Sequence, residues 1–333
     1  MDSRNRVTPR VSTLLLDWYG RGHRNLPWRN TADPYRIWVS EIMLQQTRAP
    51  AVLPYYHRFL ARFPNVATLA AAEEDDVLAA WSGLGYYSRA RNLRRAAQQV
   101  AAGGFPRDYD GLRALPGIGD YTAAAVASIA FGQAVAVVDG NVLRVVARVE
   151  NDAADIARPR TRERFRAVAQ GWLDARRPAA FNQALMELGA TVCLPRNPLC
   201  ARCPIAALCL AREAGTAAQL PVKLRGNAPI RIDGVLLVVR HGGRVLLRRR
   251  EAALRRMAGF WDLPTPEDLP RARAGKQLGE FRHTITHYHY AFMVQAARAR
   301  APGAAFRWFA PAQFTGIPLS TTARKGLKLA GIL

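Results

Sequence analysis

All four cysteines of this 333-residue chain fall within seventeen residues, as Cys193, Cys200, Cys203 and Cys209 in a C-x6-C-x2-C-x5-C pattern. Four thiolates in one short loop concentrate more negative charge than a fold tolerates without a metal centre among them. Zinc accepts four thiolates, but zinc ribbons usually divide them into two C-x2-C pairs on separate knuckles. Only one C-x2-C pair is present here and the outer cysteines stand apart from it, so a cubane 4Fe–4S cluster fits better. A structural disulfide pair is the remaining alternative. It is disfavoured because the N-terminal ten residues are polar and carry no secretory signal, and clustered cysteines in such chains read as metal ligands.

The length predicts about two domains, each able to bury a core. No run of eighteen apolar residues occurs, so no membrane span is expected. The formal net charge of +23 implies an anionic polymer as partner, nucleic acid first among them. Lysine is confined to Lys223, Lys276, Lys325 and Lys328, so chemistry in the first 222 residues proceeds without a lysine amine.

The pattern over 11–213 is helical, with alanine-rich amphipathic segments at 35–48, 50–63, 73–81, 88–102 and 161–175. Periodicity is lost between Gly215 and Pro229, where Gly, Pro, Asn and basic residues dominate as in an interdomain linker. Beyond it, the β-branched runs 235–240 and 245–250 flank His241-Gly242-Gly243, a hairpin signal, and 281–295 is strand-like. The expected architecture is multi-domain. An all-α domain (1–213) carries a helix–hairpin–helix near 109–131 and the cysteine loop 193–209; a linker (214–230) and an α+β domain (231–333) follow.

Leu115-Pro116-Gly117-Ile118-Gly119-Asp120 lies between helical segments at 109–114 and 120–130. Gly117 and Gly119 let the backbone turn sharply and present N–H groups to a phosphate oxygen at the start of the second helix. This is the hairpin of a helix–hairpin–helix unit, which grips the DNA backbone without reading sequence; an ordinary helical corner is the bland alternative. Downstream, the apolar run 135–138 ends in Asp139-Gly140-Asn141 before a helix at 142–149. Asp139 reads first as that helix's cap, and its place after the hairpin would also set a carboxylate beside a bound DNA sugar. Glu41, within Val39-Ser40-Glu41-Ile42-Met43-Leu44-Gln45-Gln46-Thr47, is expected to share a helix face with Gln45. A carboxylate in so apolar a segment is either desolvated, holding a proton near neutrality, or an ordinary surface glutamate.

In order, Leu26-Pro27-Trp28-Arg29, Ser40 to Thr47, Gly83-Leu84-Gly85-Tyr86-Tyr87, the hairpin, Val138-Asp139-Gly140-Asn141-Val142 and the cysteine loop form a highly specific series. From about Val11 to its end, the chain resembles the adenine DNA glycosylases of the MutY type, in the helix–hairpin–helix superfamily that includes endonuclease III. The resemblance implies excision of adenine opposite 8-oxoguanine or guanine in double-stranded DNA, and a 4Fe–4S cluster held by the four cysteines. It makes Glu41 the acid that protonates the leaving adenine and Asp139 the carboxylate that stabilises the sugar cation. Tyr121 and Asn141 would hold these carboxylates. Trp28, Arg29, Leu44 and Glu187 would surround the extruded base, with Gln45, Gln46 and Tyr86 entering the stack it leaves.

The last domain resembles the Nudix-like domain that reads 8-oxoguanine in this family. It lacks the Gly-x5-Glu…Arg-Glu-x-x-Glu-Glu helix, so no phosphohydrolase activity is expected. His283-Thr284-Ile285-Thr286-His287 matches the family's Phe-Ser-His recognition region, with Ile285 for Phe and Thr286 for Ser, while His287 stands. Asp120 replaces the arginine common after the hairpin and is read as a helix cap. Tyr121 occupies the position where endonuclease III-type enzymes carry their Schiff-base lysine, which favours a monofunctional glycosylase. A pyrimidine-lesion glycosylase–lyase and a catalytically silent iron–sulfur DNA-binding protein are the alternatives. A bacterial-type cytoplasmic, nucleoid-associated monomer with no membrane partner completes the expectation.

Overall fold

The computed structural model describes residues 4–224, 228, 230–250, 258–285, 287–301 and 303–333. The helices are α1 (Arg4–Arg21), α2 (Pro34–Leu44), α3 (Ala49–Arg62), α4 (Val66–Ala71), α5 (Glu74–Trp81), α6 (Ser88–Gly103) and α7 (Tyr109–Arg113). After them come α8 (Asp120–Phe131), α9 (Gly140–Val149), α10 (Pro159–Trp172), α11 (Pro178–Thr191), α12 (Leu210–Glu213) and α13 (Thr321–Leu329). The strands are β1 (Ile230–His241), β2 (Arg244–Arg249), β3 (Trp261–Asp262), β4 (Arg273–Ile285), β5 (Tyr288–Arg298) and β6 (Phe306–Phe309). The chain divides into two compact units, Met1–Gln46 with Ala96–Leu224 and Thr47–Arg95 with Arg225–Leu333.

The first unit is all-helical. Its main core joins Val11, Leu15 and Tyr19 of α1 to Val142, Val145 and Val146 of α9, Phe165 and Trp172 of α10, and Phe181, Leu185 and Leu188 of α11. Each fully buried Leu or Phe of this set contributes about 1.5–3 kcal/mol. Helix α9 is buried all round, and even Arg144 and Arg148 are nearly inaccessible. Helix α8 presents the small buried side chains Ala123, Ala124, Ala125 and Ala127, which lets α2 and α11 pack closely on it. Starts follow local chemistry: Asp33 caps α2 ahead of Pro34, and prolines occupy the first turns of α3, α10 and α11. Residues up to Leu224 stay with this unit, because Arg148 Nε donates to Leu220 O (2.9 Å) and Ile156 N to Val222 O (3.0 Å).

In the second unit, α3–α5 and the start of α6 accompany a six-stranded mixed sheet of order β3-β2-β1-β5-β4, with β6 also on β2. Strand β1 runs parallel to β5 and antiparallel to β2, joined to the latter through Gly242-Gly243 as the hairpin signal required. Alternating residues serve two cores. Leu236, Val238 and Val294 face α13, whereas Leu237, Val239 and Ala297 face the other side.

Two expectations are corrected. The helix read over 35–48 ends at Leu44, since Gln45 leaves helical ψ (113°) and Gln46 takes φ +58°. The strand-like run 281–295 is two antiparallel strands that reverse between Ile285 and Tyr288. Alternation continues across so short a reversal, and no Gly or Pro marks it.

Candidate active site

Glu41 enters the site from α2, a helix in which Trp38, Ile42 and Met43 are also buried, and is only 4% exposed. The surface-glutamate reading is therefore excluded. Its single strong donor is the Tyr121 hydroxyl, from the first turn of α8, which donates to Oε2. Burial raises the Glu41 carboxyl to about 7; Tyr121 pulls it down, the Asp139 charge raises it further, and Arg29 opposes. Burial, and then the charges of Glu41 and Asp139, push Tyr121 well above its ordinary range. The phenol therefore stays protonated and donates that proton to the Glu41 carboxyl. Met186 Sδ lies 3.8 Å from the same hydroxyl.

Asp139 both caps α9 and faces this pair. Its Oδ1 accepts from Val142 N (2.7 Å) and its Oδ2 from Asn141 Nδ2 (2.7 Å). Burial raises its pKa, while these two donors and the Arg144 charge resist. Asn141 is fixed in turn by Arg144, whose Nη2 donates to Asn141 Oδ1 (2.8 Å) and Gly189 O (2.7 Å), and whose Nε donates to Cys193 O (2.7 Å). Helix α11 comes so near at Gly189 that a Cβ there would lie 2.6 Å from the Asn141 Cβ.

Of the residues expected around an extruded base, Arg29 and Glu187 are brought together at 2.6 Å. Arg24 adds a second pair to the same carboxylate, also 2.6 Å. Burial pushes the Glu187 carboxyl up, but the bonds from Arg24 and then Arg29 hold it down at about 2. Trp28 is buried in the turn Pro27–Arg29 and Leu44 is half-buried at the end of α2. Gln45, expected on the face of Glu41, has left the helix and donates from Nε2 to Thr122 Oγ1 (3.1 Å), while Gln46 is exposed.

The hairpin between α7 and α8 turns at Gly117, whose φ of +78° a Cβ would strain, and Gly119 is the N-cap of α8 with no side-chain cap bond. The cap expected of Asp120 is not made. Asp120 is the first residue inside the helix and binds Arg113 (2.7 Å), Arg166 (2.8 Å) and Tyr109 Oη (3.0 Å) instead. The two guanidiniums are stronger partners for a carboxylate than a backbone N–H of its own turn.

The family described as HhH-GPD superfamily base excision DNA repair protein matches residues 39–170, and the NUDIX domain family matches 234–329. The chain is 34% identical to mouse adenine DNA glycosylase, over 95% of this chain and 76% of that protein. It is 46% identical to the adenine DNA glycosylase of Mycobacterium tuberculosis, over 61% of this chain and 68% of the relative. For the human enzyme of that name the identity is 47%, over 60% of this chain but 39% of that one. Among solved structures, a thermostable thymine-DNA glycosylase is 29% identical, with TM-score 0.58 over 64% of this chain and all of that one. An endonuclease III–DNA complex shares the fold at 19% identity, with TM-score 0.53 over 65% of this chain and 99% of that one.

The chain belongs to the adenine DNA glycosylase family. It is a base-excision repair glycosylase, and its fold is the helical HhH-GPD domain followed by a Nudix-like α+β domain.

The glycosylase gathers Cys193, Cys200, Cys203 and Cys209 around one pocket beside Arg148. Arg148 Nη1 lies 3.2 Å from Cys193 Sγ, and Cys209 Sγ lies 3.4 Å from Arg148 O. Burial pushes the Cys203 thiol up to about 12; a backbone bond from Ile205 lowers it, and the charges of the other three cysteines raise it again. A donor set of this kind is suited to a cationic metal centre, which alone makes four neighbouring thiolates compatible with burial. Among the described residues no three ligating side chains converge on a single ion. Arg196 and Arg202 of the loop are exposed.

In the other unit Tyr86 is 43% exposed with φ +48°, and the Arg89 guanidinium lies over its ring at 5.5 Å. His287 follows β4, its ring 4.2 Å from that of Tyr288. Thr286 and the side chain of Ile285 lie outside the described residues. Sequence reasoning passed over Arg24, Arg144, Arg148 and Met186. The arginines of α9 had a usable signal: two guanidiniums four apart inside a valine-rich helix must be buried, and buried guanidiniums need several acceptors.

Proposed function

We propose that the glycosylase hydrolyses the N-glycosidic bond of adenine mispaired with 8-oxoguanine or guanine, after extruding the adenine from double-stranded DNA. The reading rests on Glu41 and Asp139, buried groups close enough that the Asp139 charge raises Glu41 and both charges raise Tyr121. Glu41, near pKa 7, is half-protonated at neutral pH and serves as the acid that protonates N7 of the leaving purine. Asp139 is held in its charged form by Val142 N, Asn141 Nδ2 and Asn141 N, and Glu41 by the Tyr121 hydroxyl, so the negative charge settles on Asp139. It then faces the oxocarbenium-like sugar, as in glycoside hydrolysis. Arg29 and Arg24 fix Glu187 as an ionised acceptor beside the base.

The amine-dependent strand cleavage of the lyases has no counterpart here, because Tyr121 stands in the lysine position with its hydroxyl committed to Glu41. The four cysteines would hold a 4Fe–4S cluster. When bound, that group supplies the positive charge that keeps the thiolates together and fixes the loop bearing Arg196 and Arg202 against DNA phosphates. In the Nudix-like domain Thr286 and His287 would meet the 8-oxoguanine, with the inserting aromatic of other family members replaced by Ile285. The enzyme would act as a monomer.

A single-turnover assay on duplexes with A opposite 8-oxoguanine, G and T tests this reading. Free adenine should appear fastest from the 8-oxoguanine duplex, with the strand cut only after alkali. Cutting without alkali, or a complex trapped by borohydride, would replace it with the lyase reading.

A further inference from the structure

We propose that the C-terminal β domain clamps the 83–87 loop so that Tyr86 is held ready to enter the DNA stack, making Ser82, Arg324 and Thr321 positioning residues for base extrusion. The inference rests on the functional reading above and assigns part of its first step.

Left to itself the loop would not keep its shape. Gly83 (φ +107°), Gly85 (+71°) and Tyr86 (+48°) all lie in the left-handed region, which a tyrosine adopts only when its surroundings impose it. Within the helical part, Trp81 Nε1 donates to Gly85 O and Arg89 Nη2 to Leu84 O and Gly85 O, each at 3.2 Å. These bonds fix the inner side of the loop while the Tyr86 ring remains exposed.

The remaining fixation comes from the β domain. Ser82 Oγ donates to Leu319 O (2.9 Å) and accepts from Arg324 Nε (3.2 Å). Tyr87, the neighbour of Tyr86, places its hydroxyl 3.4 Å from Thr321 Oγ1 and its ring 4.0 Å from that of Phe260. Arg91 Nη2 donates to Ala258 O. The surface that makes these contacts is itself rigid. Ser320 caps α13 through Ala323 N (2.9 Å) and donates to the buried Asp262 (2.7 Å), which Arg250 holds at 2.8 Å. Tyr86 is thus flanked on the chain by two residues, Ser82 and Tyr87, that are bonded to one capped helix end. Plain packing between segments would not need polar contacts on both sides of a strained, exposed aromatic residue.

The test uses the full chain and a duplex carrying 2-aminopurine, which brightens on unstacking, in place of the target adenine opposite 8-oxoguanine. Arg324→Ala should slow the fluorescence rise roughly fivefold, the worth of about one net hydrogen bond, and Ser82→Ala, which also loses the bond to Leu319 O, should slow it more. The double variant should be no slower than Ser82→Ala alone, since that substitution already removes the Arg324 contact. In a Tyr86→Ala background neither substitution should slow it further. Thr321→Val and Arg324→Lys, which keeps a donor, supply milder variants should Arg324→Ala not fold; Thr321→Val should slow extrusion and Arg324→Lys restore most of the rate. Wild-type extrusion rates in the folded single variants, or an undiminished slowing without Tyr86, would overturn the clamp. Failure of the wild-type chain to release adenine from an A·8-oxoguanine duplex would overturn the functional reading instead.

Discussion

The hydroxyl of Tyr121 donates directly to the carboxyl of Glu41, joining the first turn of the helix after the hairpin to the buried middle of α2. One phenol therefore ties the hairpin, expected to hold the DNA backbone, to the group proposed to deliver the proton. Replacing Glu41 with Gln keeps the shape and removes the proton. Single-turnover adenine release should fall by about 10²–10⁴-fold, the usual share of a general acid, while duplex binding by titration stays within a fewfold.

The raised pKa of Glu41 fixes the direction of the pH dependence. A carboxyl at about 7 in the folded chain against its ordinary value of 4.5 binds its proton more tightly than the unfolded chain does. Between those values the folded state carries the extra proton, so stability falls as pH rises through the window, by about 3 kcal/mol for this group alone. Adenine release should decline over the upper part of the same window, as the acid ionises. Denaturant midpoints and single-turnover rates from pH 4.5 to 8 should both flatten in Glu41→Gln.

Arg144 holds Asn141, and Asn141 holds Asp139. Arg144→Ala leaves the carbonyls of Gly189 and Cys193 without their buried donor. A loss of about 3 kcal/mol in unfolding free energy is expected. Asn141→Ala should be milder in stability, and should still slow adenine release by releasing Oδ2 of Asp139 to rotate. Urea titration beside single-turnover kinetics separates the two effects.

Asp120 neutralises Arg113 and Arg166 beside the hairpin. Asp120→Asn should free both guanidiniums for phosphate, tightening duplex binding a fewfold and steepening its salt dependence by up to two phosphate contacts. These pairs are largely exposed, so the melting temperature should hardly move. A binding isotherm series in salt decides it.

Chelation of the proposed cluster, or Cys203→Ser, should weaken duplex binding steeply while most helical circular dichroism persists. The cysteine loop packs on α9 and α11, adding Ile205 to a core whose other members come mostly from α1, α9, α10 and α11. Unchanged binding by the iron-free protein would exclude a templating role for the cluster.

Much of this arrangement was legible in the chain itself. The cysteine spacing, the hairpin glycines, the change from helical to alternating periodicity and the hairpin at 241–243 are local signals, and each corresponds to an element found. Asp139 was legible as the cap of α9, through Oδ1; its Oδ2, held by Asn141, is the oxygen proposed to face the sugar. Gln45 and Asp120 were misread for opposite reasons. A helical spacing says nothing of where the helix stops, and a capping preference says nothing of two arginines arriving from elsewhere in the chain.

By itself the sequence determined which residues carry chemistry and in what order, since residue type and short-range spacing act through local sterics and periodicity. Only the tertiary structure decided their state. Burial raises the Glu41 carboxyl, Arg24 and Arg29 hold Glu187 ionised, and Arg113 and Arg166 pair with Asp120, because burial and partners brought in by the fold set the electrostatics, and no local pattern encodes who those partners are.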